Sequence, residues 1–186
     1  YPIKIRNGKK YDLIEIEGRK QFKSFNYKVP GDISSASFFI VLTLLSNKSE
    51  LLIKDININL SRLGILKILN RMNANIKIIN QRKYKGEMLG DLKIRSSENF
   101  KPINCPSYLN SSAIDEFLLI FLIAAKSKGV SRFKNLDELN KKESPRLNIA
   151  VNFLRMIGIK VIKKKHDIKI FGNPKLKLKK IGRAHV

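Results

Sequence analysis

Apolar and polar positions run through this chain in two rhythms. Tyr11–Glu17 (YDLIEIE) and Phe22–Val29 (FKSFNYKV) alternate residue by residue, the period of a half-buried strand. Pro30-Gly31-Asp32 breaks the alternation, and Ser34 and Ser35 stand ready to cap the next element. Ser37–Leu45 (SFFIVLTLL) is apolar on nearly every side and predicts a largely buried helix. Leu51–Ile56 predicts a strand, Leu63–Met72 (LGILKILNRM) an amphipathic helix, and Ala74–Ile79 and Leu92–Arg95 two further strands. A second series begins at Cys105-Pro106. It holds a buried helix over Asp115–Ala125, a strand over Val130–Lys134 and an amphipathic helix over Arg146–Met156. A hairpin of Ile159–Ile162 and His166–Ile170 around Lys163–Lys165 ends it, and Lys175–Val186 is basic and without pattern.

The two series are one pattern written twice. Ser34-Ser35-Ala36 recurs 77 positions on as Ser111-Ser112-Ala113, and Phe39 recurs 78 on as Phe117. Lys54 recurs 80 on as Lys134, and Arg71-Met72 recurs 84 on as Arg155-Met156. A slowly growing offset marks a duplication with small loop insertions, at a period too long for the common solenoids. Each unit reads helix, strand, helix, strand, strand. The pattern predicts an α/β protein made of repeated βαβαββ units.

Composition adds limits. A chain of 186 residues makes one sizeable domain or two small ones. With 43% hydrophobic and 28% charged residues it is globular rather than disordered. Phe117–Ala125, the longest apolar run, is too short to span a bilayer, and the opening YPIKIRNGKK lacks the apolar core of a signal peptide. One cysteine, Cys105, allows neither an internal disulfide nor a cysteine metal site. These features together point to the cytoplasm. The net charge of +23 would suit a polyanion. The lysines, however, are scattered over many elements, and no aromatic residues interleave with them as stacking platforms would require. The charge is therefore read as a solvated surface that draws in small anions. Nucleic-acid binding is the alternative, and a steep salt dependence of duplex binding would mark it.

Candidate chemistry gathers in Glu138–Leu147 (ELNKKESPRL), where a polar loop enters an apolar-periodic helix. Lys142 and Arg146 are four apart, and Glu143 and Arg146 three apart, so the three flank one helix end. Ser144 suits the cap and Pro145 the first helical position. Spare N–H groups and the dipole at such an end favour an anion. Two cations and a carboxylate there can hold an anionic substrate and move a proton. A capped helix with an Arg–Glu surface pair explains the same letters.

PGDISSASFF and DELNKKESPRL, with an aspartate heading the preceding helix, resemble the 5-enolpyruvylshikimate-3-phosphate synthase family (3-phosphoshikimate 1-carboxyvinyltransferases), from roughly Tyr11 to Pro174. The resemblance implies an inverse α/β barrel type of fold, two globular domains of three βαβαββ units each. By it, residues 1–73 are the last unit of one domain, 74–174 part of the other, with a hinge near Asn73-Ala74, and 175–186 a basic tail, a truncation or cloning junction. It implies transfer of the enolpyruvyl group of phosphoenolpyruvate to the 5-hydroxyl of shikimate 3-phosphate, releasing phosphate, with no metal or organic cofactor, in a monomeric full-length enzyme. Carried over, Asp115 touches the shikimate hydroxyls and accepts a proton, and Lys142 bridges the two substrates. Glu143 shuttles the methylene proton, Arg146 holds phosphoenolpyruvate, and Ser35 meets the shikimate phosphate. Phe38 stands where many members carry tyrosine, and Glu138 where some carry asparagine. Other substrate motifs of the family are absent, so the chain is expected to be a fragment, inactive by itself. The sister enzyme acting on UDP-N-acetylglucosamine is the alternative. The Lys142-Glu143-Ser144-x-Arg146 string argues against it, and Cys105 lacks the glycine- and arginine-rich loop of that enzyme's cysteine.

Overall fold

The computed structural model describes residues 3–18, 24–141 and 144–176. Helix α1 (Ile33–Leu45) begins where Asp32 leaves extended backbone and its carboxylate accepts from Ser35 N at 2.8 Å, which satisfies an orphan donor of the first turn. Strand β3 (Glu50–Asn57), helix α2 (Gly64–Arg71) and strands β4 (Ile76–Tyr84) and β5 (Glu87–Arg95) complete the first unit. β4 and β5 are joined by a tight turn at Lys85-Gly86, both with positive φ, and the antiparallel sheet runs β3-β5-β4. β3 and β4 each bulge, near Asp55 and Asn80, and the buried Asp91 answers both through Asp55 N and Asn80 Nδ2 at 2.9 Å.

The second unit repeats the order. It comprises α3 (Phe117–Lys126), β6 (Gly129–Phe133), α4 (Arg146–Met156), β7 (Lys160–Lys164) and β8 (Asp167–Gly172), with its sheet ordered β6-β8-β7. Duplication and α/β class stand as predicted. α3 packs on α1 and α2, and one contiguous apolar core runs from Ile33 to Ile170. Phe117, Phe121 and Phe133 meet inside it at centroid distances of 5.0 to 6.0 Å. β3, before Asn73-Ala74, and β4, after it, both pair with β5.

Other expectations shift. β1 (Ile3–Arg6) pairs with β2 (Leu13–Ile16) in a hairpin that the alternation showed only in part. Residues 24–29 form no strand, and Phe22 and Lys23 lie outside the described residues. Their side chains and carbonyls serve the β4–β5 turn instead: Tyr27 stacks on Tyr84, Lys28 N donates to Tyr84 OH, and Lys85 Nζ donates to Asn26 O. α3 starts at Phe117 rather than Asp115, because Ser107–Leu109 and Ser111–Ala113 wind as 3₁₀ turns first. Ser112 Oγ bonds back to Leu109 O there, the local competition by which such residues displace regular helix.

Candidate functional site

Polar side chains converge where the helix N-termini of the two units meet. Asp32 Oδ2 accepts from Ser35 Oγ at 3.0 Å as well as from its amide. Asp32 Oδ1 accepts from Arg62 Nη2 at 3.1 Å, and the same guanidinium donates to Ser34 Oγ at 2.9 Å. Ser34 Oγ donates in turn to Glu116 Oε1 at 2.5 Å, a bond that joins one unit to the other. The next residue, Asp115, receives Arg146 Nη1 at 2.9 Å. Ser35, Asp115 and Arg146, named from the sequence, thus belong to one neighbourhood. Lys142 and Glu143 lie outside the described residues.

Arg146 is delivered by a turn the sequence did not predict. Pro145 has φ −74° and ψ 68°, an inverse γ-turn, and Arg146 N donates to Ser144 O at 2.8 Å. Pro145 takes the cap position expected of Ser144, and among the described residues no side chain closes this end. The turn spends the Arg146 amide on Ser144, which leaves the guanidinium rather than a free N–H as this residue's anion-binding group. Asp115 is not the cap of α3 either; Glu116 holds that position.

The electrostatics separate the acids. Burial would raise the Asp32 carboxyl, but hydrogen bonds from the Ser35 amide and hydroxyl, from Ser34 and from Arg62 outweigh it and hold the group below its usual value. Glu116 goes the other way: burial pushes it up, the Ser34 hydrogen bond and Arg62 oppose that, and the charges of Asp115 and Asp32 add to it. Cys105, also buried, is pushed up to about 11 by desolvation, with Arg71 opposing. Such a thiol is an inert core group at neutral pH, which removes the support a catalytic cysteine would have given the sister enzyme.

Sequence reasoning missed Asp32, Arg62 and Glu116, and read Ser34 only as a cap. Asp32 three positions before Ser35 was a visible capping signal, and Glu116 was an acid at the head of an apolar run. Nothing in the loop sequence singles out Arg62.

Residues 2–183 match the family described as EPSP synthase (3-phosphoshikimate 1-carboxyvinyltransferase). The chain belongs to the EPSP synthase family. It is 39% identical over 162 residues to the 3-phosphoshikimate 1-carboxyvinyltransferase of Petrotoga mobilis, covering 87% of this chain and 36% of that one. It is 40% identical over 159 residues to the enzyme of the same name from Legionella pneumophila strain Corby, covering 86% and 36%. The solved structure of EPSP synthase from Acinetobacter baumannii superposes with a TM-score of 0.83 at 31% identity, over 92% of this chain and 38% of that one. The fold is therefore a partial enolpyruvyltransferase fold, and the chain spans little more than a third of the length of the relatives it matches. No helix among the described residues is long and apolar enough to cross a membrane.

Proposed function

We propose that this chain forms part of a cytoplasmic enzyme that transfers the enolpyruvyl group of phosphoenolpyruvate to the 5-hydroxyl of shikimate 3-phosphate. The observation that carries the reading is the Asp115–Arg146 pair at 2.9 Å, in a chain whose family membership extends over residues 2–183. Asp115 takes the hydroxyl proton as the oxygen attacks the enol carbon, while Glu143 protonates the methylene carbon. Glu143 then recovers that proton as the carbon–oxygen bond to phosphate breaks and phosphate leaves. Arg146, planar and bidentate, suits the phosphoenolpyruvate carboxylate, and Lys142 bridges the substrates. Ser35 reaches the shikimate phosphate only by turning its hydroxyl away from Asp32. The test is phosphate release dependent on both substrates. The full-length protein should show it and lose at least about two orders of magnitude with Asp115→Asn or Glu143→Gln. Residues 1–186 alone should release none, because catalysis needs cations that this chain does not supply. Full activity in the Asp115→Asn enzyme would end the reading.

A further inference from the structure

Hydrogen bonds that recur in both units fix how their sheets correspond. Asp55 N donates to Asp91 Oδ1 as Asn135 N donates to Asp167 Oδ1, and Asp55 and Asn135 share a φ of 58°. Ser97 N reaches Leu44 O as Asn173 N reaches Ala125 O, and Ala74 N reaches Leu69 O as Ile159 N reaches Leu154 O. β6 therefore matches β3 with a shift of 80 (55 to 135), β8 matches β5 with 76 (91 to 167, 97 to 173) and β7 matches β4 with 85 (74 to 159). The ladders agree. Leu52, Lys93 and Lys77 stand in one row of the first sheet, and Arg132, Lys169 and Ile162 in the same row of the second.

The outward rows of the two sheets differ in charge. In the first, Asn75, Lys77, Lys93 and Arg95 line a hollow of about 190 Å³. Lys77 and Lys93 are direct partners across β4 and β5, where like charges repel at close range. Glu50 answers part of this: its carboxylate takes Lys93 Nζ at 2.9 Å and Arg95 Nε at 2.8 Å, and those two bonds hold its carboxyl below the usual value. Among the described residues Lys77 makes no hydrogen bond or ion pair, and neither do the two terminal nitrogens of Arg95. The rim is fixed from behind, since Arg95 N donates to Asn75 O at 3.0 Å and Asn75 N to Ser97 Oγ at 3.1 Å. The matching places in the second sheet are Lys160, Ile162, Lys169 and Phe171, and there Lys160 Nζ lies over the Phe171 ring at 5.0 Å. That lysine has an aromatic face for a partner, and an apolar residue stands in the place of Lys77. A row of three cations is also no packing face for another unit, because burying charges without partners is costly.

We infer that this hollow is a binding site for a phosphoryl dianion, either free phosphate or a phosphate monoester. Three cations less the Glu50 carboxylate leave two positive charges, which one dianion cancels. The terminal nitrogens of Arg95 supply a planar fork for two oxygens, Lys77 and Lys93 supply point charges, and the Asn75 amide supplies a neutral donor. The bound group gives Lys77 the partner it lacks and separates it electrostatically from Lys93. Four residues on adjoining strands make a pocket for one such group rather than a track for a long polyanion, and no aromatic ring lines it as a stacked base would need. None of the four belongs to the polar cluster around Asp32 and Asp115. The inference stands on the sheet and its repeat and is independent of the reading of the activity.

The experiment is a titration of the 186-residue chain, followed through its amide NMR spectrum, with inorganic phosphate and separately with glycerol phosphate. Both are run at about pH 8, where a second pKa of about 6 leaves the phosphoryl group doubly charged, and chloride holds the ionic strength constant. The expected result is one saturable transition whose shifts centre on residues 75–77 and 93–95. Lys77→Met and Arg95→Lys should each raise the midpoint at least about tenfold, the second because lysine keeps the charge and loses the fork. Lys169→Met removes the same charge from the matching place in the second sheet and should leave the midpoint within about twofold. All three side chains lie on exposed sheet faces, so the rest of the spectrum reports that each variant is folded, and Lys77→Gln serves if Lys77→Met is not. Equal midpoints for the two ligands assign the site to the phosphoryl group on any carrier, and a lower midpoint for one of them names the source. A titration that does not saturate, shifts spread over the lysines of both sheets, or an Arg95→Lys midpoint equal to that of wild type would overturn the proposal.

Discussion

Ser34 is the joint between the two units, and replacing it with alanine should show what that joint is worth. The hydroxyl accepts from Arg62 and donates to a carboxylate that is 4% exposed. Ser34→Ala leaves Glu116 buried without this donor and deprives the half-exposed Arg62 of one acceptor, while Asp32 remains. Most of the cost comes from Glu116, and losing one partner of a buried polar group costs roughly 1–3 kcal/mol. The penalty should depend on pH. Glu116 is raised in the folded state, so the native protein binds more protons than the unfolded chain above the ordinary carboxylate pKa. Stability linked to this group is complete below that value and falls as pH rises through the folded pKa. The Ser34 hydrogen bond favours the charged form, so removing it raises Glu116 further and extends the loss to higher pH.

The assay is urea unfolding of the chain and two variants from pH 4 upward, in steps of about 1 pH unit so that linkage slopes can be read. Ser34→Ala should be nearest to wild type at acid pH and furthest from it at alkaline pH. Glu116→Gln keeps an acceptor for Ser34 but cannot titrate. The difference between its stability and that of wild type should grow in favour of glutamine as pH rises, whatever the other carboxylates do in common. A Ser34→Ala penalty independent of pH, or a flat difference curve for Glu116→Gln, would refute the assignment of Glu116 as the buried titrating partner.

Asp115 and Arg146 are each about a third exposed, so a double-mutant cycle with alanine should give a coupling of only about 0.2–1 kcal/mol in unfolding. A larger value would mean a structural pair rather than one free to exchange partners with a substrate. Gly64→Ala should destabilise by about 1–3 kcal/mol, although alanine is the better helix former, because a Cβ there collides with the Ser112 backbone of the other unit. Urea midpoints would show a stabilised variant if the units were not docked at this point. Cys105 should alkylate roughly two orders of magnitude more slowly than a free thiol at pH 8 until urea is added, since its thiol titrates near 11. Mass spectrometry of native and unfolded samples separates the two rates.

How much of the fold is legible in the sequence depends on the range of the forces involved. Helix α4 was predicted at its observed bounds because an amphipathic period over eleven residues is a strong local signal. The repeat was visible because element order survives insertion. Its register was not: the Ser-Ser-Ala landmark lies inside α1 in one unit and in a 3₁₀ turn before α3 in the other. Residues 24–29 alternate like a strand, yet strand pairing is a long-range choice, and here the aromatic stack on Tyr84 took the alternative. Asp115 and Arg146 were each named through resemblance, but not as a pair, and the bonds of Ser34 to Arg62 and Glu116 became visible only once the two units were brought together.

That last dependence couples the site to the packing of units. α3 contributes its buried ridge to unit docking and, one turn earlier, Glu116 and Asp115 to the polar cluster. Shifting α3 on α1 by the length of one residue would separate Ser34 from Glu116 and move Asp115 relative to Arg146 together. The positive ends of helices favour the acids gathered there, but the fields of two such ends do not decide Glu116, for which burial outweighs every nearby cation. Because its carboxyl is raised by burial, Glu116 gives up its charge before an ordinary glutamate as pH falls, and Asp115 then faces Arg146 with one fewer negative neighbour. Docking of the units and the titration of Glu116 are therefore linked: a substitution in the α1–α3 interface that lets water reach Glu116 should bring its carboxyl back toward the ordinary value, which the pH dependence of urea unfolding would show.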